Sequence, residues 1–559
     1  MTRWGLMAAV GLLALVGCTA IPTSGPVEEV TASLPPREVD FAPEPPQDGV
    51  TPERLVEGFL QAMVDPDADY SVARQYLTAD VAQTWQPSAA TTIYEGSVEV
   101  AEDASSAVLS GTTVGRLDEA GHFHTDGTEL SHEFMLVQED GQWRITHPPE
   151  GVLMSQFSFN RFYAHVSTYF VAQAGTHVVP EQIHVPDALL TPNRIIQAQL
   201  AGPGEEIAGA VRNALPSTAE LTDEGASVDQ DGTVRVHLTG VPADLPEDRR
   251  RELGAQLVWS LSAVPRVTGL ALFVDGGAYG LPGQDANGVL DFASQQGFQV
   301  FSRAASADLF GISGGVAGRL TSSGAFLPIA ALASYEAAEV ALALDGTEVA
   351  TILAGRNELI VGAMGGEAAP LALELTNLRS LHFSLGQIWL LGESADGSTK
   401  LVRIDGQGVA HEVDLSQIPG DVARASVSPV GVLVALVLDD GGFGVATFTG
   451  DELSHWNRLS GTEAAPLTTA YDCDWSEEYG IAVLATSNDR RTVLLTSADG
   501  AVVEDLGPIG VDATQLSALP RITRDAIAVR DADAQVLRNE ATGLWTPVPT
   551  SLTDVSYPG

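Results

Sequence analysis

A segment that recurs at a near-constant interval constrains the fold of this 559-residue chain more than any other feature. FSLGQIWLL (383–391), SPVGVLVAL (428–436) and EEYGIAVLA (477–485) each place a glycine before an apolar, strand-like run. YEAAEVALAL (335–344) and TRDAIAVRD (523–531) are weaker copies. Aligning Ala338, Gly386, Gly431, Gly480 and Ala526 gives intervals of 48, 45, 49 and 46 residues. After each clear copy a second strand pair follows, in LVRIDGQGVAHEVDL, GVATFTGDELSHWNRL and TVLLTSADGAVVEDL, turning at Asp-Gly or Gly-Asp. A period of about 40–50 residues with about four strands per repeat predicts a β-propeller, here over 286–559. Each repeat has apolar faces that only its neighbours can cover, so the array must close. Five copies are visible, and 289–325 offers material for a sixth.

The other end of the chain reads as an address. The first eighteen residues are MTRWGLMAAVGLLALVGC: Arg3, then an uncharged apolar run from Gly5 to Val16, then Gly17 and Cys18. A run of about a dozen apolar residues is too short to span a bilayer and suits a signal-peptide core over 1–17. LVGC resembles the lipobox of bacterial lipoproteins. That resemblance implies cleavage between Gly17 and Cys18, a diacylglyceryl group on the Cys18 thiol and an acyl group on its new N-terminus. It places the chain at the outer face of the cell membrane, held by lipid. Residues 18–50, rich in Pro, Glu, Ser and Thr, read as a disordered tether.

Charge narrows the partners. The net charge is −45, with Lys400 the one lysine, and no basic patch is visible, so nucleic acid is excluded as a partner. Anionic headgroups repel such a surface too, leaving the Cys18 lipid as the membrane contact. The two cysteines are Cys18 and Cys473; with Cys18 lipidated, Cys473 has no partner within the chain and reads as a buried hydrophobe.

Between address and repeat lie two mixed regions. Over 51–172, Thr51 and Pro52 mark a helix start. Leu55, Val56, Phe59, Leu60 and Met63 recur at helical spacing, and Val72–Leu77 suits a second short helix. Strands are predicted around 94–100, 107–114, 130–138 and 142–146, with a hairpin turn at Asp140-Gly141. Helices followed by an antiparallel sheet ending in DGQWRI resemble an NTF2-like α+β domain, a shape that often has a pocket. Phe157–Val171 is aromatic and apolar and is expected to pack the join to the next domain. Over 173–285 the order strand, helix, strand, strand, helix, strand is predicted, with Pro246–Ser262 amphipathic and Thr268–Asp275 a buried strand. LLTPNRIIQAQLAGP, ALPSTAEL and VTGLALFVDG resemble a GerMN domain, an α/β module of exported bacterial proteins. The fold class expected for the whole is multidomain, α+β and all-β.

Candidate chemistry is sparse. Gly311-Ile312-Ser313-Gly314-Gly315 matches G-x-S-x-G, but a nucleophile elbow needs a strand-to-helix setting, and an inter-strand turn is the plainer reading here. His122, His124, Asp126 and His132 cluster in GHFHTDGTELSH, where His-x-His could serve a metal or simply decorate a hairpin. Asp67-Ala68-Asp69 and Asp531-Ala532-Asp533 lack the rest of an EF-hand loop and read as turns. Arg249-Arg250-Arg251 reads as a solvated helix face. Neither a catalytic group nor a metal or cofactor is expected.

Taken together, the lipobox, IPTSGPV, the α+β region, the GerMN-like module and the repeat resemble the LpqB lipoproteins of actinobacteria. The resemblance implies a non-enzymatic accessory protein that binds the extracellular sensor region of the MtrB histidine kinase. There it would modulate MtrA–MtrB two-component signalling in envelope homeostasis and division. Two other readings are an envelope enzyme or ligand binder using the propeller channel or the N-terminal pocket, and a structural spacer in envelope assembly.

Overall fold

The computed structural model describes residues 43–101, 105–303, 306–321, 324–520 and 526–559. Gly17, Cys18, the signal peptide and most of the tether lie outside the described residues.

Helix Pro52–Ala62 begins as its sequence dictates. Thr51 is extended and its Oγ1 accepts from the Arg54 N–H (3.4 Å), while Pro52 occupies the first turn, where no intrahelical donor is needed. Its apolar stripe, Leu55, Val56, Phe59 and Met63, is fully buried. It lies against a sheet ordered Gln142–Ile145, Glu129–Glu139, Ser106–Leu117, Thr91–Val100, Val152–Ser155. Phe59 meets Trp85 (5.5 Å) and Phe134 (6.2 Å, edge-on), each such side chain contributing about 1.5–3 kcal/mol on burial. Asp140 and Gly141 both adopt positive φ, the geometry of a tight two-residue hairpin.

By strand pairing, Tyr163–Ala172 groups with the second unit. Tyr163–Ala172 pairs antiparallel along its whole length with Val178–Pro186, so the segment expected at the join is a strand of the second unit. Helix Gln156–Phe162 leads into the join, and the strand adds to it through His165 and Tyr169. Glu220–Val228, Thr233–Thr239 and Gly269–Val274 form the other sheet; the last two are parallel and joined over helix Glu247–Leu261. Leu290–Asp291 pairs with Gly269–Leu270, so residues just beyond 285 also belong here.

From Leu309 onward, the described residues form six four-stranded sheets arranged as propeller blades. Blade 1 consists of Leu309–Ser313, Val316–Leu320 and Phe326–Pro328, with Asp554–Ser556 as its innermost strand. Blades 2 to 6 have innermost strands Ala337–Leu342, Thr376–Ser384, Val422–Val427, Thr469–Trp475 and Ala513–Ala518. Neighbouring innermost strands touch in that order, and Asp554–Ser556 touches those of blades 2 and 6, closing the ring. Gly386, Gly431 and Gly480 sit at or beside the turn after the innermost strands of blades 3, 4 and 5, as the repeat requires. Ala338 does not: it lies within the innermost strand of blade 2, whose equivalent turn is Asp345-Gly346. Gly311-Ile312-Ser313-Gly314-Gly315 is a strand end and a hairpin turn, with Gly314 and Gly315 at φ 59° and 81°.

Turn chemistry recurs across the molecule. Asp229, Asp285, Asp405 and Asp531 each use Oδ1 to accept from the N–H groups two and four residues on, at 2.9–3.0 Å. These aspartates hold tight turns shut, which is the role of Asp531-Ala532-Asp533.

Candidate functional site

A propeller channel is where a ligand site is first sought, and here it is lined by polar side chains. The innermost strand of each blade presents N–H groups that no fifth strand can satisfy, and burying them unpaired is costly. The chain answers with acceptors at one equivalent position. Asp554 accepts from Val340 N–H (2.9 Å), Glu339 from Leu381 N–H (3.2 Å) and Ser380 from Ala425 N–H (3.4 Å). Asp472 accepts from Leu516 N–H (2.8 Å) and Gln515 from Val555 N–H (3.3 Å). Blade 4 carries Arg424 at this position; its guanidinium lies 3.9 Å from Asp472.

Two residues on, a second tier repeats the device. His382 accepts from Val427 N–H, Asp474 from Ala518 N–H and Ser517 from Tyr557 N–H, at 2.8–2.9 Å. Ser426 donates to Asp474 (3.0 Å). Where blade 2 has only Ala341, the Gly559 carbonyl takes the Phe383 N–H (3.0 Å). Burial pushes Asp472 and Asp474 up to about 6 and Asp554 to about 7, the charge of Glu339 adding to the last. These carboxylates therefore stitch blade to blade. Cys473, in the same wall, is buried, and desolvation holds its thiol well above the usual range, far from a reactive thiolate.

A second polar cluster lies where all three units meet. His184 is buried, and its Nε2–H donates to Asp499 of blade 5 (2.7 Å). Its Nδ1 shares a hydrogen bond with His165 Nδ1 (2.6 Å). Phe123 and Phe159 of the first unit flank the ring at 5.9 and 5.2 Å. The His184 N–H donates to the Gly121 carbonyl (2.8 Å), and a Cβ on Gly121 would stand 2.8 Å from the His184 oxygen. Burial opposes ionisation of Asp499, but the His184 charge and hydrogen bond hold its carboxyl below the ordinary range. Burial and the neighbouring His184 charge lower His165 to about 4.

The histidines singled out from sequence divide here. His122 bridges units, Nδ1 to Asp118 (2.8 Å) and Nε2 to Glu181 of the second unit (3.0 Å). Burial pulls His122 down, but those two carboxylates outweigh it and raise the ring to about 10. His124 lies 3.8 Å from Asp118 and 3.9 Å from Glu206. Asp126 instead pairs with Arg116 (2.9 Å), and His132 stacks on His147, away from the others. Among the described residues no group of three or more His, Cys, Asp or Glu is placed to hold a metal ion. The arginine run is used within its own unit: Arg249 pairs with Glu252 (3.2 Å), Arg250 donates to the Gly280 carbonyl (3.0 Å) and Arg251 pairs with Glu247 (2.8 Å).

Further bonds cross each pair of units. Arg194 donates to the Glu119 and Ala120 carbonyls (both 2.9 Å), Thr125 to Asn457 (2.7 Å) and Gln156 to the Ala501 carbonyl (3.0 Å). The Tyr169 hydroxyl donates to Glu478. Sequence reasoning missed Asp499 and Glu478. The Asp499-Gly500 turn was visible as a turn, but nothing local marks its carboxylate as the partner of a histidine 315 positions away.

The comparisons with known proteins follow the same three units. The family described as lipoprotein LpqB, N-terminal domain, matches residues 45–160; sporulation and spore germination matches 167–280; the lipoprotein LpqB beta-propeller domain matches 322–558. A lipoprotein LpqB of Cutibacterium acnes is 30% identical over 98% of this chain and 97% of its own length. One from Rhodococcus opacus is 25% identical over 98% and 95%. Among solved structures, a nidogen/laminin complex covers 44% of this chain and 97% of its own at 10% identity and a TM-score of 0.36. Aligned nearly end to end with a curated relative, and matched unit by unit in the same order, the chain belongs to the LpqB lipoprotein family.

Proposed function

We propose that this chain is a lipid-anchored accessory protein of the cell envelope. In this reading Cys18 carries the lipid, and the folded body binds the extracellular sensor domain of an MtrB-like histidine kinase and modulates MtrA–MtrB signalling. The observation that carries it is the locked arrangement of the three units around His184, Asp499 and Glu181. Units fixed to one another present one invariant surface, which suits recognition of a folded partner more than closure around a substrate. Among the described residues no helix is long and apolar enough to cross a membrane. The channel carboxylates are engaged in holding strands, which weakens the case for an acid–base pair there. The test is a pull-down of the folded chain with the kinase sensor region. Saturable association at micromolar concentration is expected, and its absence would overturn the reading.

A further inference from the structure

We infer that the cleft between the second unit and blade 5 is a saccharide-binding site for a neutral or amino-bearing sugar chain. This goes beyond the docking reading above and does not depend on it. The cleft has a volume of about 610 Å³, within the range of small-molecule sites, and lies between two units, where such sites concentrate. One wall is built by strand periodicity. His165, Ser167 and Tyr169 alternate along Tyr163–Ala172 and so share a face, with Gln182 directly across the ladder from Ser167. Trp259, at the end of helix Glu247–Leu261, adds an indole 6.5 Å from the Tyr169 ring. Blade 5 supplies the facing wall, including Glu477, Glu478 and Glu504.

The chemistry of the lining selects its ligand. Among the described residues no lysine or arginine lines the cleft, and His165 is held neutral by burial and by His184, so none of them compensates a phosphate or carboxylate. Acceptors predominate, and the buried Gln182 Oε1 has no hydrogen-bond partner among the described residues. A buried acceptor left unpaired costs about 1–3 kcal/mol, which a donor from a ligand would recover. A sugar ring offers hydroxyl donors at its edge for these acceptors and a C–H face for the Trp259 indole. An amino sugar adds a cation that the glutamates favour.

The test titrates the full chain with a β-1,4-linked N-acetylglucosamine tetramer, its deacetylated counterpart and tetralysine, read by calorimetry and tryptophan fluorescence. At least one sugar should bind saturably with a change in indole emission. Trp259→Ala should weaken that binding about tenfold, and Trp259→Phe should restore most of it. Gln182→Leu should leave the thermal midpoint unchanged or raised while weakening the sugar by a similar factor, a split that a purely structural role would not produce. No saturable sugar binding up to about 10 mM would overturn the assignment. So would affinity that is indifferent to both Trp259→Ala and Gln182→Leu, or binding of tetralysine in preference to either sugar.

Discussion

At the scale of residues, the junction concentrates more consequence than the channel. Asp499 serves His184 Nε2–H, the Ser497 hydroxyl (2.5 Å) and the Ala501 N–H (3.0 Å) at once. Removing one member of a buried ion pair strands the other, at about 3–5 kcal/mol. Asp499→Ala should therefore lower the denaturant midpoint of the transition that separates the units by a matching amount. Asp499→Asn should cost less, because an amide oxygen can still accept from His184. A fall below about 1 kcal/mol for the alanine variant would mean that water takes over the pairing. The same residues predict a pH dependence. His165 is near 4 when folded against about 6.5 unfolded, so the unfolded chain takes up a proton that the folded chain refuses. The His165 contribution to stability should therefore fall as pH drops from 6.5 towards 4. His122, raised to about 10 by Asp118 and Glu181, has the opposite sign: its contribution is full below 6.5 and is lost as pH rises through 10. Asp472, Asp474 and Asp554, raised by burial, contribute stability that is lost as pH rises from about 4 to 6–7, so each histidine is read from the difference between variant and parent midpoints across pH. His165→Phe should gain on the parent as pH falls from 6.5 towards 4, and the deficit of His122→Gln should be full below 6.5 and vanish as pH rises through 10.

At the scale of elements, the ring of acceptors explains how six blades of different sequence keep one geometry. Asp554 is the most exposed to failure. It lies in the three-residue strand that completes blade 1, and its two oxygens take the Val340 N–H and the Gln515 amide (2.6 Å). Asp554→Ala should leave that buried N–H unpaired and cost about 1–3 kcal/mol. Truncation after Thr553 should remove the closing strand altogether. Hydrogen exchange read on blades 1 and 2 should then show Leu309–Ser313 and Ala337–Leu342 losing protection before blades 4 and 5. Uniform loss across all six blades would show that closure is not local. These elements also show what local sequence can reveal. Thr51-Pro52, Asp140-Gly141 and the glycines at 386, 431 and 480 announce themselves, because caps and positive-φ turns are satisfied by residues next to them. The phase of blade 2 is not announced: its turn is the polar Asp345-Gly346, while Glu-Val-Ala-Leu within its innermost strand imitates the second strand of other blades. Asp554–Ser556 carries too few residues for any periodicity, and its ladder partners in blade 1 and the Val340 N–H lie more than 200 positions away. The His184–Asp499 contact is illegible for the same reason: its determinants are long-range packing, not sequence neighbourhood.

At the scale of the molecule, a body of net charge −45 is ill suited to holding itself against an anionic membrane, so position must come from elsewhere. The proposed lipid on Cys18 supplies it, and with it a second effect. Two proteins confined to one membrane meet at an effective concentration set by the tether, in the millimolar range for short flexible linkers, so even a weak contact is occupied. This separates two quantities that a simple loss-of-function test confuses. Cys18→Ala should leave the affinity of the folded body for the kinase sensor region unchanged in solution. It should abolish retention of the chain in the membrane fraction and most of its activity in cells. Overexpression of the unanchored form should then recover signalling only in proportion to its extracellular concentration, following the solution dissociation constant. Full complementation at native expression would show that the contact is tight enough to need no tether, and would move the task of Cys18 from raising occupancy to choosing the compartment.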